Sequence, residues 1–249
     1  MKYAIKISYL GKNYSGWQIQ PDTNTIQLEI ENVLKKITHE EIRITGAGRT
    51  DKGVNAVAQI ASFRINKDWE NDKLLLALNF HLPDDIRIIE VKKVNEDFNA
   101  RYSAKSREYR YFIYEGRACP PYLSEYVWWK KNKFWNMDLA RKACKLLEGE
   151  HNFRAFCRRE ECPENPIRTL EKVNLHKIKL NKTGNIIILR VKGKSFLTNM
   201  IRIIAGNINE VATENQNLEW FSELLNGKER TESAMTAPAQ GLWFWSAYY

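Results

Sequence analysis

A strand-type alternation of apolar and polar residues opens the chain and constrains its fold more than any other feature. Residues 2–10 read KYAIKISYL, in which every second side chain is aromatic or β-branched and can face a core. A capped amphipathic helix is predicted over residues 25–37, with Thr25 as its N-cap. Strands are predicted over residues 41–45, 54–63 and 86–94, and a short helix over 73–79. The order β-α-β-β-α-β is typical of a ferredoxin-like split βαβ unit.

The second half of the chain has a similar order of elements. Residues 107–114 read REYRYFIY and alternate much as residues 2–9 do. Residues 122–134 lack clear periodicity and residues 151–167 read as a loop, so both interrupt the pattern. Helices are predicted over 137–147, 197–211 and 218–225, and strands over 168–179, 185–191 and 242–246, with turns at 182–184 and 237–241.

These elements predict an α+β fold made of two related halves. We place the N-terminal half at residues 1–104 and the C-terminal half at 105–249. Each half is too thin to hide both faces of its sheet. We therefore expect the two ferredoxin-like sheets to join edge to edge into one extended, mainly antiparallel sheet, with a basic cleft between the halves.

The distribution of charge points to an anionic partner. The net charge is +9, and residues 101–159 contribute 14 Lys or Arg against 6 Asp or Glu. The same stretch is rich in Tyr and Trp, and interleaved cations and rings suit nucleic acid, because cations meet phosphates while rings stack on bases. The alternative is a solvated, lysine-rich face. We expect this stretch of the C-terminal half to bind RNA.

The cysteines and the hydropathy pattern bear on metal content and compartment. The cysteines at 119, 144, 157 and 162 lack Cys-x-x-Cys spacing, and the histidines are too scattered to complete a zinc site. Reduced thiols of a cytosolic protein explain them better. Residues 1–17 lack the apolar segment of a signal peptide, and no apolar run approaches the ~18 residues of a membrane span. The sequence therefore predicts a soluble, cytoplasmic protein without metal.

Residues 46–53, GAGRTDKG, form a loop between two predicted strands and are the first candidate site. Glycine is needed where the backbone takes positive φ or approaches another group closely. Asp51 lies between Arg49 and Lys52, two cations that favour its ionised form. The alternatives are a charged surface hairpin and a phosphate-cradling loop, although the Gly-Lys-Ser/Thr of a phosphate loop does not follow.

Two residues of the second half are further candidates. Arg202 lies on a mostly apolar helix, beside Asn199, where a buried guanidinium would need a partner. Tyr109 lies on an alternating strand and could stack on a nucleobase. The alternatives are an ordinary surface arginine and a tyrosine that points into the core. The sequence has no Ser/His/Asp pattern and no second carboxylate beside Asp51, so an enzyme built on it relies on one acid.

The motif Gly48-Arg49-Thr50-Asp51-Lys52-Gly53-Val54, with Ala56, resembles the catalytic motif of tRNA pseudouridine synthases of the TruA type. The pattern Phe-Leu-x-x-Met-x-Arg ending at Arg202 also resembles that family, and the resemblance extends over nearly the whole chain. Three positions differ from the usual family pattern, which often has Ala at Lys52, His at Asn55 and Asp at Asn152. The sequence leaves the roles of these three residues open.

The resemblance implies the pseudouridine synthase fold and the conversion of uridine to pseudouridine at positions 38, 39 and 40 of the tRNA anticodon stem-loop. It implies a homodimer with tRNA bridging both subunits, and neither metal nor organic cofactor. By this resemblance, Asp51 corresponds to the catalytic acid and Arg202 to the arginine paired with it. Tyr109 corresponds to the stacking tyrosine, and Arg49 to the arginine that flips or replaces the base.

Two alternatives to this function remain open at the level of the sequence. The same chemistry could act on ribosomal RNA or on another region of tRNA. A non-catalytic RNA-binding module would need the same basic stretch but not Asp51. The sequence also leaves open which tRNAs are modified and whether Asp51 adds to the base, attacks the sugar or removes a sugar proton.

Overall fold

The computed structural model describes residues 1–131, 133–180 and 184–249. They form two compact units, Met1–Arg107 with Trp243–Tyr249, and Glu108–Leu242. Each unit combines mostly antiparallel strands with helices, so the predicted α+β class is confirmed. The boundary after residue 104 and the joining of the two sheets stay predictions.

The first unit has the predicted order of elements. Its sheet runs β4-β1-β3, and β2 pairs with β3 through Thr45 and Ser62. The order 4-1-3-2 is that of a ferredoxin-like unit. The elements are β1 (Lys2–Tyr9), α1 (Ile26–Thr38), β2 (Thr45–Gly46), β3 (Asn55–Arg64), α2 (Asn71–His81) and β4 (Ile86–Lys93).

The prediction of a strand over residues 41–45 is wrong for most of that range, since β2 begins only at Thr45. The backbone before it is bonded to side chains instead of a neighbouring strand. Ile44 donates its N–H to the buried Glu31 carboxylate at 3.0 Å, and its carbonyl accepts from Gln27 at 3.2 Å. Side chains of helix α1 therefore satisfy the backbone polar groups of Ile44 that a neighbouring strand would otherwise have satisfied.

Helix α1 begins where its cap predicts. The Thr25 hydroxyl accepts the Leu28 N–H at 3.3 Å, which satisfies one of the amides left unpaired at a helix start. Thr25→Val keeps the shape of this fully buried side chain but removes the acceptor. We expect the free energy of unfolding to fall by about 1 kcal/mol in urea titration. Thr23→Val, in the preceding turn, is the control and should change it much less.

The second unit repeats part of this order. Its sheet runs β5-β9-β8-β7, and β6 pairs in parallel with β5. The order β5-β9-β8 corresponds to β1-β3-β2 of the first unit. The elements are β5 (Ser106–Gly116), α3 (Pro121–Ser124), β6 (Trp128–Lys131), α4 (Met137–Leu146), β7 (Gly149–Asn152), β8 (Ile167–Leu180), β9 (Gly184–Gly193), α5 (Met200–Ala212) and α6 (Leu218–Leu224).

Some short elements of the second unit are not predicted from the sequence. The aperiodic segment 122–134 contains β6, and the predicted loop 151–167 begins within β7. Helix α5 begins at Met200, three residues later than predicted, because Asn199 takes a left-handed conformation with φ 60°. Most of the predicted turn at 182–184 lies outside the described residues.

The last strand, β10 (Leu242–Tyr248), belongs almost entirely to the first unit, where Trp243 pairs with Asn55 in parallel. Strands β2 and β10 thus pair with different ends of the same strand, β3. Among the described residues, no helix has the length and apolar character needed to cross a bilayer.

Candidate active site

The four candidate residues divide equally between the two units. Arg49 and Asp51 lie in the loop of residues 46–53, between β2 and β3 of the first unit. Tyr109 lies on β5 and Arg202 on α5, both in the second unit. Each unit therefore contains two of the four candidate residues, and each pair is described by itself.

The backbone around Asp51 is fixed by hydrogen bonds. Trp17 donates its N–H to the Thr50 carbonyl at 3.0 Å, and Val54 donates to the Asp51 carbonyl at 3.1 Å. The Gln59 side chain, fully buried on β3, donates to the Gly48 carbonyl at 2.8 Å. These contacts hold the loop on both sides of the carboxylate, which fits a site better than a solvated hairpin.

Tyr9 supports the loop from the core. Its hydroxyl is hydrogen-bonded to the Thr50 hydroxyl at 2.8 Å, and both side chains are buried. Burial raises the pKa of Tyr9 well above its ordinary value, although the Thr50 hydrogen bond acts the other way. Tyr9 therefore stays a neutral phenol and can keep this bond at any physiological pH.

Glycines allow this loop to pack closely, as the sequence predicts. Gly53 has φ 78°, in the left-handed region that side chains rarely adopt. A Cβ at Gly46 would lie 2.6 Å from the Trp17 ring. Larger residues at either position would displace the loop from its support.

The side chains of the loop differ in exposure. Arg49 and Lys52 are exposed and Asp51 is half-buried. Thr50, which lies between Arg49 and Asp51, is buried. A carboxylate that is partly withdrawn from water beside an exposed arginine can bind or attack a substrate while the arginine contacts its phosphates.

Two positions that differ from the usual family pattern have structural roles. Asn55 is buried, and its side-chain oxygen accepts the Gly11 N–H at 2.8 Å. The Asn152 side chain accepts the N–H of Arg154, the first residue of the 3₁₀ turn Arg154–Phe156, at 3.0 Å. Each amide fixes a loop of its own unit.

In the second unit, the Arg202 side chain is half-buried and oriented by two oxygens. Its Nε donates to the Ala237 carbonyl at 2.8 Å, and a terminal nitrogen donates to the Asn199 side chain at 2.8 Å. Ala237 in turn donates its N–H to the Arg202 carbonyl at 3.1 Å. The predicted turn at 237–241 thus helps to position this guanidinium.

Tyr109 is nearly buried, with 7% of its surface exposed, and its ring meets that of Phe196 edge-on at 5.1 Å. Within this unit it packs as a core residue would, and its stacking role stays a proposal. The neighbouring Glu108 is fully buried and accepts from Arg110 at 2.9 Å and Arg190 at 2.7 Å. This pairing ties β5 to β9 and so fixes the strand that carries Tyr109.

Tyr111 connects β5 with Arg202. Its hydroxyl donates to the Pro238 carbonyl at 2.7 Å, in the same turn that binds Arg202. Burial raises the pKa of Tyr111 well above its ordinary value, while the Arg202 charge acts in the opposite direction. The second unit therefore brings together Arg202, Asn199, Tyr111 and the turn at 237–238.

The buried supports of the loop were missed by sequence reasoning. Tyr9 and Gln59 lie on strands, where alternation indicates only that they face inward. Their bonding to residues 48–50 has no sequence signal. In the described part of the chain, no group of three or more His, Cys, Asp or Glu side chains converges as a metal site would require.

The sequence model of the family described as tRNA pseudouridine synthase matches residues 5–103 and 143–249. This chain belongs to the tRNA pseudouridine synthase family. It is therefore a member of an isomerase family. The matched ranges contain Arg49, Asp51 and Arg202, whereas Tyr109 lies between them.

Curated relatives agree with this membership. The synthase is 39% identical over 248 residues to tRNA pseudouridine synthase A of Francisella philomiragia, covering 99% of this chain and 93% of that protein. It is 37% identical over 246 residues to the protein of the same name from Brachyspira hyodysenteriae, covering 98% and 97%. The corresponding protein of Aquifex aeolicus is 39% identical over 240 residues, with 96% of each chain covered.

The solved structure "Crystal Structure of a Cbf5-Nop10-Gar1 Complex" aligns with the synthase at a TM-score of 0.36 and 13% identity, covering 97% of this chain and 57% of that one. This similarity is too low to bear on the fold.

Proposed function

We propose that this synthase converts uridine to pseudouridine at positions 38, 39 and 40 of the tRNA anticodon stem-loop, with Asp51 as nucleophile or base. The observation that carries the proposal is the half-buried Asp51, on a loop held from both sides and inside the matched family range. A carboxylate on a loop with a fixed backbone can supply either role without a cofactor.

The reaction breaks the glycosidic C–N bond, turns the uracil and joins its C5 to the sugar. The base must first leave its stack, at a cost of a few kcal/mol. Arg49 is exposed beside Asp51 and can fill the vacated space or bind the adjacent phosphate. Exposure of Arg49 and partial burial of Asp51 fit this division of roles.

Residues of the second unit supply the remaining roles in this proposal. Arg202 pairs with Asp51 and favours its ionised form. Its planar guanidinium suits a carboxylate, and the bonds to Ala237 and Asn199 restrict its orientation before substrate binds. Tyr109 covers one face of the flipped uracil.

The partners follow from the same proposal. The synthase works as a cytoplasmic homodimer with tRNA bridging its subunits, and the basic stretch 101–159 binds the RNA backbone. Neither metal nor organic cofactor takes part.

Pseudouridine mapping across total RNA tests the choice of target. Cells that lack the gene should lose pseudouridine at positions 38–40 of tRNA, and the wild-type gene should restore it while the Asp51→Asn gene should not. Loss in ribosomal RNA alone would contradict the proposed target. Unchanged RNA in every class would instead support a non-catalytic RNA-binding module.

A further inference from the structure

Two buried tryptophans anchor a segment of the second unit that lies within the basic stretch 101–159. Trp128, on β6, is 8% exposed and its ring meets that of Tyr111 edge-on at 6.1 Å. Trp135 is 4% exposed, donates its backbone N–H to Glu115 at 2.6 Å and its ring N–H to Asn209 at 3.2 Å. The segment between them is therefore tied to the core at both ends.

The residues between these anchors are basic and aromatic. Residues 128–135 read WWKKNKFW, with three lysines and no acid. Lys131 and Lys133 are exposed, as is Phe134, with 59% of its surface in solvent. Trp129 is 38% exposed, and its ring N–H donates to the Gly116 carbonyl at 2.9 Å.

Lys130 and Lys133 lie near enough for their charges to interact. The Lys130 ammonium lies 4.3 Å from the centroid of the Trp128 ring. Burial and the nearby Lys133 charge both lower the pKa of Lys130, while Glu210 opposes them. The Glu210 carboxylate also accepts from Asn209 and Asn215. Two neighbouring positive charges repel each other. An anion that binds between them offsets this repulsion, so such a pair favours anion binding.

We propose that this lysine–aromatic segment, Trp128–Lys131 with Lys133 to Trp135, is a second RNA-contact site of the synthase. Lys130 and Lys133 bind phosphates, and Phe134 stacks on an unpaired base or sugar. The proposal rests on the proposed tRNA activity. It narrows the RNA-binding stretch 101–159 to these residues and assigns affinity rather than chemistry to them.

The position of β6 along β5 supports a contact away from the modified nucleotide. Strand β6 pairs with Ile113 to Gly116, which follow Tyr109 by four to seven residues on the same strand. At about 3.3 Å per residue, this places the segment roughly 13–23 Å from Tyr109 along the strand. The segment therefore lies apart from Tyr109 along β5.

Lys130→Ala/Lys133→Ala tests the phosphate contact through binding of a full-length tRNA transcript across a salt series. The dissociation constant should rise about tenfold at moderate salt, and the slope of log K against log salt should become shallower by about 1.4–1.8. Lys35→Ala/Lys36→Ala, on exposed lysines of α1, removes the same charge and should stay within about twofold of wild type. This control variant should also keep the wild-type single-turnover rate with saturating enzyme.

Phe134→Leu tests stacking without removing a charge. Affinity for the transcript should fall about fivefold or more, since a stacked base is sensitive to loss of the ring. Phe80→Leu, on the 83% exposed Phe80 of α2, is the matched control and should leave affinity unchanged.

Equal affinity and salt slope in the double lysine variant and its control would overturn this proposal. Weaker binding to phosphatidylglycerol vesicles with unchanged tRNA binding would also overturn it and assign the segment to a lipid surface. A synthase that binds tRNA through this segment but forms no pseudouridine would contradict the proposed function alone.

Discussion

Asp51→Asn is expected to lower pseudouridine formation in tRNA by about 10³-fold or more, while tRNA affinity changes little. An amide has nearly the same size as the carboxylate but cannot act as nucleophile or base. The loss of a reacting group typically costs this much, because the other contacts still bind the substrate but cannot replace the chemistry. Single-turnover tritium release from 5-tritiated uridine in tRNA measures the effect.

Asp22→Asn is the matched control for that variant. Asp22 is an exposed residue of the same unit with φ 55°, a conformation that asparagine tolerates well. The control should retain the wild-type rate, and both variants should unfold at the same urea concentration as wild type. An Asp51→Asn rate within tenfold of wild type would remove Asp51 from the mechanism.

Arg202→Met should lower the rate constant of the chemical step by about 10²–10³-fold. Methionine keeps much of the aliphatic volume but loses the bonds to Ala237 and Asn199 and the proposed pairing with Asp51. Arg202→Lys keeps the charge but not the planar fork, so it should recover only part of the loss. Rates under saturating tRNA separate this effect from binding.

The pH dependence distinguishes pairing from a merely structural role of Arg202. If the guanidinium favours ionised Asp51, its removal makes protonation of the carboxylate easier, so activity should be lost at a higher pH as the medium is acidified. Arg141→Met, on the exposed face of α4, is the control and should leave the profile unchanged. An unchanged acid limb in Arg202→Met would contradict the proposed pairing.

Local patterns predict the fold where a single period dominates. Alternation over residues 2–10 predicts β1, and Thr25 with its apolar stripe predicts α1 within one residue. Alternation does not predict the structure of residues 41–45, although they alternate equally well. There the backbone bonds to Glu31 and Gln27 of α1, and a periodic pattern contains no information on such long-range partners.

The candidate site is likewise predicted from the sequence only in part. Residues 46–53 are identifiable because glycines and charges interrupt apolar strands, which is unfavourable without a function. Tyr9 and Gln59, which hold this loop, look like ordinary strand residues until their hydrogen bonds are known. Tyr109 alternates as a core residue and is buried as one, so only the resemblance to a family gives it a role.

Tritium release from defined tRNA transcripts tests the central claim most directly. One transcript carries 5-tritiated uridine at positions 38, 39 and 40, and a matched transcript carries cytidine at those positions and labelled uridine elsewhere. Wild-type synthase is expected to release tritium from the first transcript and only a background amount from the second. Release from the second transcript alone, or from neither, would contradict it.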